Sequence, residues 1–490
     1  MSIKLNGPAA NPGFRTEWWT PRLAGPLIAA AAIRFTLLAV ALYRGGIENL
    51  IDSDTSSYLE PGRNLLLHGR FYADGVPDLV RTPGYPLFLA ITSLGGMPST
   101  AVIQVILSVF SVLLVWKLGR TAFGDERIAL IAAWIFAFEP ISIIFSVDLL
   151  SETLFLALLL LSMERIAEFL RGRSLRVLAM AGLWLTAATF VRPVTYYLPF
   201  ALAVGLFIVL ARVPGLRWKA PAVLLISVLP WLVAWQIRNK IETGYSGFTS
   251  AMELNLYFYD AAGVIARIEN RDLFDVNKEL GIIRFTNNSQ QFYLYPPYLA
   301  LHPEQAGWNQ GQRLAFMRSE AMRIIRAHYG VFLHECLRSF FRIIFEPGAG
   351  LYYGLLYPDA PNHVIGLARD KGIAREMIEL ANAYPWVAVE KAAFAVVLLG
   401  LYLFAARGIL RVGMHNACVW LLLGISLYFI AISTMAGVQN AGARFRLPIM
   451  PFVCILAAAG VRSTKALARG KCARDFPAGN EVTSRESKRT

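Results

Sequence analysis

Charge is scarce in this chain: Asp, Glu, Lys and Arg together make up 16% of its 490 residues, against about 25% in an ordinary soluble domain. Cysteine is scarcer still. The four cysteines, at 336, 418, 454 and 472, show no CxxC or metal-ligand spacing, and Cys418 and Cys454 fall inside apolar runs, so no disulfide framework is expected. The histidines are scattered without an HExxH or comparable pairing, which argues against a protein-built zinc site. There is also no glycine-rich nucleotide-binding loop.

What is present is apolar. Hydrophobic residues make up 56% of the chain and the mean hydropathy is +0.49, which suits an all-α, polytopic helical membrane protein. A span takes roughly 20 apolar residues, fewer where the ends are tolerant. By that measure ten fall near 26–43, 99–117, 128–146, 150–167, 177–191, 195–211, 220–237, 386–406, 415–435 and 447–462. The first lacks a small-residue cleavage site and reads as a retained span. The stretch 86–95 is too short to cross and reads as a dipping or surface segment.

The net charge of +14 is a topology signal and not a nucleic-acid footprint, because most Lys and Arg sit in short gaps between apolar runs. Lys117, Arg120 and Arg127 share one gap, Arg165, Arg171, Arg173 and Arg176 a second, Arg212, Arg217 and Lys219 a third, and Arg407 and Arg411 a fourth. With ten spans, all four gaps and both termini fall on one side, which the positive-inside rule makes cytoplasmic. The expected organisation is a cytoplasmic N-terminus (1–25), a membrane bundle (26–237) holding an outer loop (44–98), a large outer segment (238–385), C-terminal spans (386–462) and a cytoplasmic tail (463–490) whose mixed Lys, Arg, Ser and Glu composition predicts disorder.

Within the large outer segment, Glu253 to Pro303 is rich in Tyr, Phe and Asn, consistent with ordinary loop packing or with an aromatic sugar platform. From Gln312 to Phe345 arginines alternate with apolar residues at helical spacing, which predicts an amphipathic helix pair on the outer leaflet, arginines toward headgroups.

Charged groups beside hydrocarbon require a partner or a task. Here they are Arg34, Asp52, Asp54, Arg81, Asp148, Glu152, Arg192, Arg238, Arg444 and Arg446, and all but Arg34 fall on the outer side. Arginine offers phosphate a planar fork of donors that stays charged, and a carboxylate can accept a proton from a hydroxyl within hydrogen-bond reach. Together they suit glycosyl transfer from a lipid-phosphate sugar, a donor that brings its own activation. Simpler roles stand beside this one. Asp52 and Asp54 precede a helical run and could cap it, Arg192 and Arg238 at span ends could snorkel, Glu152 could cap the fourth span, and Arg34 could pair with a carboxylate in the bundle. The Asp52 and Asp54 pair also offers two carboxylates to a divalent cation, short of a third ligand; no cofactor is required.

The order Asp54-xxx-Tyr58, a helical run ending in LLLHGRF, RTPGYPLFLA, LLSETLF (149–155), FVRPV (190–194), IRNKIETG (237–244) and ARFRLPIMP (443–451) resembles the polytopic GT-C glycosyltransferases. That group includes the lipid A aminoarabinose transferases, the protein O-mannosyltransferases and the rhizobial lipopolysaccharide galacturonosyltransferases. The resemblance implies an inverting transfer from a polyprenyl-phosphate sugar to an envelope glycolipid, polysaccharide or protein on the periplasmic face of the inner membrane. It implies Asp54 as base with Asp52 assisting, Arg81, Tyr85, Arg192, Arg238 and Arg444 near the donor phosphate, and Glu152 and Tyr58 in support. A lipid-linked-sugar flippase and an O-antigen polymerase or ligase fit part of the same pattern.

Overall fold

The structure is a computed structural model, described over residues 20–282, 291–356, 385–435 and 442–461. The expected N-terminal segment up to residue 19, the disordered tail 463–490 and Cys472 lie outside the described residues. Among those described, the chain is helical except for one two-stranded hairpin, and it is an all-α polytopic membrane protein.

Ten helices account for the first half: α1 (Ala24–Gly45), α2 (Ser53–His68), α3 (Gly84–Thr92), α4 (Met97–Phe123), α5 (Glu126–Ala137), α6 (Pro140–Ile144), α7 (Glu152–Gly172), α8 (Leu175–Val191), α9 (Leu198–Val209) and α10 (Leu216–Thr243). The outer segment supplies α11 (Ala251–Asn255), a π-helix (Leu256–Ala261), α12 (Ala262–Glu269), α13 (Leu273–Glu279), α14 (Pro296–Leu301), α15 (Gln310–Ala327), α16 (Tyr329–Phe345) and α17 (Ala349–Leu356). The helices Pro385–Val412, Ala417–Met435 and Met450–Val461 follow, the last preceded by a 3₁₀ turn over Ala443–Ile449.

Six described helices are long and apolar enough to cross a membrane, and the apolar stretches Gly84–Gly95, Leu175–Val191 and Pro193–Val209 are shorter. The expected span 128–146 is two helices instead of one. Pro140 cannot continue α5, and Glu139 caps α6 by accepting from the backbone N–H of Ile141 (3.1 Å) and Ser142 (2.6 Å). The short segment after Pro86 belongs to α3, nine residues long and too short to cross.

The bundle is closely packed inside and apolar outside. Helix α4 and the segment Ala443–Val461 are mostly buried, whereas Leu216–Thr243 and Ala388–Val412 leave most of their apolar surface uncovered, including Ile226, Ile241, Val396 and Leu403. Such a surface is stable against lipid and not against water. Arg34, expected to pair with a carboxylate, donates to neutral oxygens: Ser108 Oγ (2.8 Å), Ser142 Oγ (3.0 Å) and the Ala137 carbonyl (2.9 Å). Those bonds tie α1 to α4 and to the α5–α6 break.

The predicted helix pair in the outer segment is present as α15 and α16. Asn309 and Gln312 form a capping box at the start of α15. On α16, Leu333, Leu337, Phe341 and Phe345 recur every four residues as one exposed apolar stripe. Not every arginine of the pair faces outward, however. Arg313 is buried and donates to the Gln305 carbonyl (3.1 Å from Nη2).

Candidate active site

Helix α2 begins where Asp52 leaves the extended region. Its Oδ1 accepts from the Asp54 N–H (3.0 Å), while its own N–H donates to Thr55 Oγ1 (3.0 Å), closing a capping box. Thr55 then donates to the Leu149 carbonyl (2.9 Å), pinning the helix start to the loop before α7. The capping role for Asp52 is therefore real, and it leaves Asp54 in the first turn with its carboxylate turned toward the following loop.

That loop is built to aim Arg81. A hairpin turns at Asp74 and Gly75, both at positive φ. Asp78 then accepts from the Val80 N–H (2.7 Å) and the Arg81 N–H (3.2 Å), bending the backbone so that the Arg81 side chain returns to α2. Burial pushes the Asp78 carboxyl up to about 6, against the opposing pull of those two N–H groups and of the Arg81 and Arg238 charges. Two glycines let the layers meet. A Cβ on Gly62 would lie 2.2 Å from the Pro86 carbonyl oxygen, and one on Gly84 would lie 2.7 Å from that of Phe190.

Arg81 donates from Nε to Ser57 Oγ (2.9 Å), from Nη1 to the Tyr58 hydroxyl (3.1 Å) and from Nη2 to Asp54 Oδ1 (2.8 Å). The other Asp54 oxygen accepts from Arg444 Nη2 at 3.2 Å. Through Nε, Arg444 also bonds Glu152 Oε1, which Arg192 Nη1 reaches at 2.5 Å. The result is an unbroken alternation, Arg81, Asp54, Arg444, Glu152, Arg192, with three guanidinium groups to two carboxylates. Glu152 is buried, with a side chain 3% exposed; Arg192 and Arg444, at 21% and 27%, face open space. Arg444 is held in place by its neighbour: Arg446 is buried and donates to the Ile343 (2.8 Å) and Glu346 (2.7 Å) carbonyls at the end of α16.

All five residues, with Asp52 and Tyr58, line one cavity of about 1270 Å³. Phe155, Val194, Phe429 and Ile432 give it an apolar side; polar and apolar residues of the outer segment complete it. Two expected phosphate contacts fall elsewhere. Tyr85 is fully buried behind Tyr58, ring on ring edge-to-face at 4.8 Å, and donates to Gln104 Oε1 (2.8 Å). It packs α3 on α4 and does not line the cavity. Arg238 spends its donors on the carbonyls of Phe71 (2.7 Å) and Asp78 (3.3 Å), so it braces the loop that carries Arg81. Asp148, half-buried, does not line the cavity either. Its carboxyl is pushed up to about 8 by burial, then by repulsion from Asp52 and Glu152, and so keeps its proton at neutral pH.

Residues not foreseen are Ser57 and Ser151, small hydroxyls that accept from Arg81 and Arg192, and Asp78, whose signal was an Asp three positions before an arginine in a turn. Among the described residues no group of three or more His, Cys, Asp or Glu could hold a metal ion. Asp52 caps α2 through Oδ1, and Asp54 is bonded on both oxygens to guanidinium groups.

Fold and site define a polytopic helical membrane protein with an alternating charge cluster at the wall of a half-apolar cavity. Residues 81–237, about a third of the chain, match the model of the family described as Dolichyl-phosphate-mannose-protein mannosyltransferase. This match supports the GT-C resemblance; its range holds Arg81, Glu152 and Arg192 but neither Asp54 nor Arg444. No curated protein matches the chain. Among solved structures, ArnT from Cupriavidus metallidurans bound to undecaprenyl phosphate is 13% identical with a TM-score of 0.37, and the same protein in the apo state is 14% identical with a TM-score of 0.36. Each alignment covers 89% of this chain and 78% of the other.

Proposed function

We propose that this chain is a membrane glycosyltransferase of the GT-C type that moves one sugar, with inversion, from a polyprenyl-phosphate donor to an envelope glycolipid, polysaccharide or protein. The observation that carries the reading is the alternation of three arginines and two carboxylates in a cavity with one apolar side. The ArnT structure is named for its bound undecaprenyl phosphate, a ligand with the same two parts, a long apolar chain and one phosphate.

In this reading the apolar side takes the lipid chain and Arg192 and Arg444, the two more exposed guanidinium groups, meet the phosphate. Asp54 has both oxygens bonded, and a proton acceptor needs one free. When Arg444 turns to the phosphate, its longer 3.2 Å bond to Oδ2 is the one released, and Oδ2 can take the acceptor hydroxyl proton. The acceptor oxygen forms its bond to the anomeric carbon from the face opposite the phosphate, the carbon–oxygen bond to phosphate breaks, and its electron pair leaves on polyprenyl phosphate, held by the arginines. Arg81 keeps Asp54 oriented.

The basic gaps, through the positive-inside rule, support a reading with both termini in the cytoplasm and the cavity on the periplasmic side of the inner membrane. The stripe Leu333, Leu337, Phe341 and Phe345 would then lie in the outer leaflet. Because guanidinium groups already neutralise both site carboxylates, no divalent cation is needed; undiminished transfer in EDTA is the expected result.

The test is the purified chain in liposomes with a polyprenyl-phosphate sugar and extracted envelope glycolipid. The parent protein releases polyprenyl phosphate and adds a single sugar mass, and Asp54→Asn remains folded and inserted without doing either. Activity of that variant at the parent level removes Asp54 from the role. Movement of intact donor across the bilayer would make the protein a flippase, and products growing by blocks would make it a polymerase.

A further inference from the structure

Arg446 follows Arg444 by two positions in the 3₁₀ turn Ala443–Ile449 and reaches a different partner. Its Nη1 donates to the carbonyls of Ile343 (2.8 Å) and Glu346 (2.7 Å) and lies 3.4 Å from that of Ile344, all at the C-terminal end of α16. The last carbonyls of a helix have no partner within it and carry the negative end of its dipole, so a guanidinium group suits them. The joint is tight. Arg446 is 1% exposed, a Cβ on Gly442 would lie 2.9 Å from Glu346 Oε2, and Tyr402 of the helix Pro385–Val412 donates to the Ile344 carbonyl at 2.9 Å. The turn that carries Arg444 therefore follows the end of α16.

Helix α16 has two unlike faces. Cys336, Ser339 and Ile343 are buried where the helix packs on Ala417–Met435, itself long and apolar enough to cross a membrane. From the same helix, buried Glu335 accepts from Arg338 Nη1 (3.2 Å) and pairs with Arg267 Nε of α12 (3.6 Å). The other face is the stripe Leu333, Leu337, Phe341 and Phe345, each at least half exposed, with Arg338 and Arg342 beside its middle members. An apolar stripe edged by arginines and continuous with a spanning helix fits the surface of a phospholipid leaflet. Resting on the glycosyl-transfer reading for the task of Arg444, we infer that Arg446 is a positioning residue for Arg444 and that lipid contact with α16 fixes its anchor. The stripe seats in the leaflet, α16 holds Arg446, and the shared turn holds Arg444 against Asp54 and Glu152. The Arg444 bond to Asp54, at 3.2 Å, is at the long end of the hydrogen-bond range, so it is the contact that a shift of α16 breaks first.

The experiment is hydrogen–deuterium exchange and steady-state transfer on the full chain in phospholipid nanodiscs. Phe341→Asp, on the exposed stripe, should speed exchange in Ala443–Ile449 about tenfold as well as in α16. It should also lower kcat about tenfold, with the donor KM within about twofold of the parent. Phe341→Leu, still apolar, should match the parent in both measurements. Arg446→Met should repeat the Phe341→Asp result with the stripe intact, and Arg446→Lys, which keeps a cationic donor for the carbonyls, should recover most of the kcat. Where Arg446→Met does not fold, the two Phe341 variants carry the test alone. Exchange that rises in α16 but stays at the parent rate in Ala443–Ile449 overturns the inference, as do a parent-level kcat in Arg446→Met and a loss that Arg446→Lys does not recover. Exchange is read without substrate, so transfer retained in Asp54→Asn would sink the catalytic reading while the coupling of α16 to the turn stands.

Discussion

Asp54 and Arg444 stand 390 positions apart in the chain and meet at 3.2 Å, Oδ2 to Nη2. One lies in the first turn of a loop helix, the other in the 3₁₀ turn before the last described helix, so their contact closes the bundle around the cavity. The same arginine bonds Glu152, and through it Arg192 is joined to the cluster.

Arg192 and Arg444 are expected to differ kinetically. Arg444 touches both carboxylates, and its rearrangement frees Asp54, so Arg444→Ala should lower kcat about a hundredfold. Arg192 touches Glu152, Ser151 and the open cavity but not Asp54, so Arg192→Ala should raise the donor KM about tenfold with a smaller loss in kcat. Steady-state rates against donor concentration check this; equal kcat losses in both variants would refute the division of labour.

Glu152 is the buried hinge of the alternation. Replacing it by Gln leaves Arg192 without a counter-charge and Arg444 with Asp54 alone, and breaking a buried pair costs roughly 3–5 kcal/mol. Both arginines keep some contact with open space, so the expected loss is at the low end, about 3 kcal/mol. Thermal unfolding in detergent should show it, together with loss of transfer. A Glu152→Gln protein as stable as the parent would mean that the charges are not held together as described.

Much of this site was legible because charge beside hydrocarbon is costly and therefore conspicuous. Asp54, Arg81, Glu152, Arg192 and Arg444 each interrupt or border an apolar run, and all five share the cavity. Tyr85 and Arg238 were placed with them by the family resemblance, but a motif match does not say which way a side chain turns. On α3 Tyr85 faces α4, and Arg238 donates to the Phe71 and Asp78 carbonyls of the loop. The break of 128–146 was written in Glu139-Pro140, a cap followed by a residue that cannot lie inside a helix.

Asp78 sets a pH dependence. Its carboxyl is raised from the ordinary 3.8 to about 6, burial being the main cause, so the folded state favours the protonated form. That contribution is fully present below about pH 4, fades as pH rises toward 6 and is absent above it. The shift corresponds to about 3 kcal/mol at most. Asp78→Asn keeps an oxygen for the Val80 and Arg81 N–H groups and removes the ionisation. It should therefore match the parent near pH 4 and melt higher than the parent at pH 7.5. A variant that melts lower at pH 7.5 would show that the carboxylate is held charged by its neighbours.

Tyr85 separates packing from phosphate binding. Its hydroxyl donates to Gln104 Oε1 in a fully buried contact, and Gln104 in turn donates to the Asp148 carbonyl (2.6 Å), which links α3, α4 and the loop before α7. Tyr85→Phe leaves the Gln104 oxygen without that donor and should cost about 1–2 kcal/mol of stability. The ring and its edge-to-face contact with Tyr58 remain, so Arg81 keeps its place. The donor KM should accordingly stay within about twofold of the parent, since no phosphate contact is lost. A KM raised tenfold in a variant of unchanged stability would return Tyr85 to the donor site.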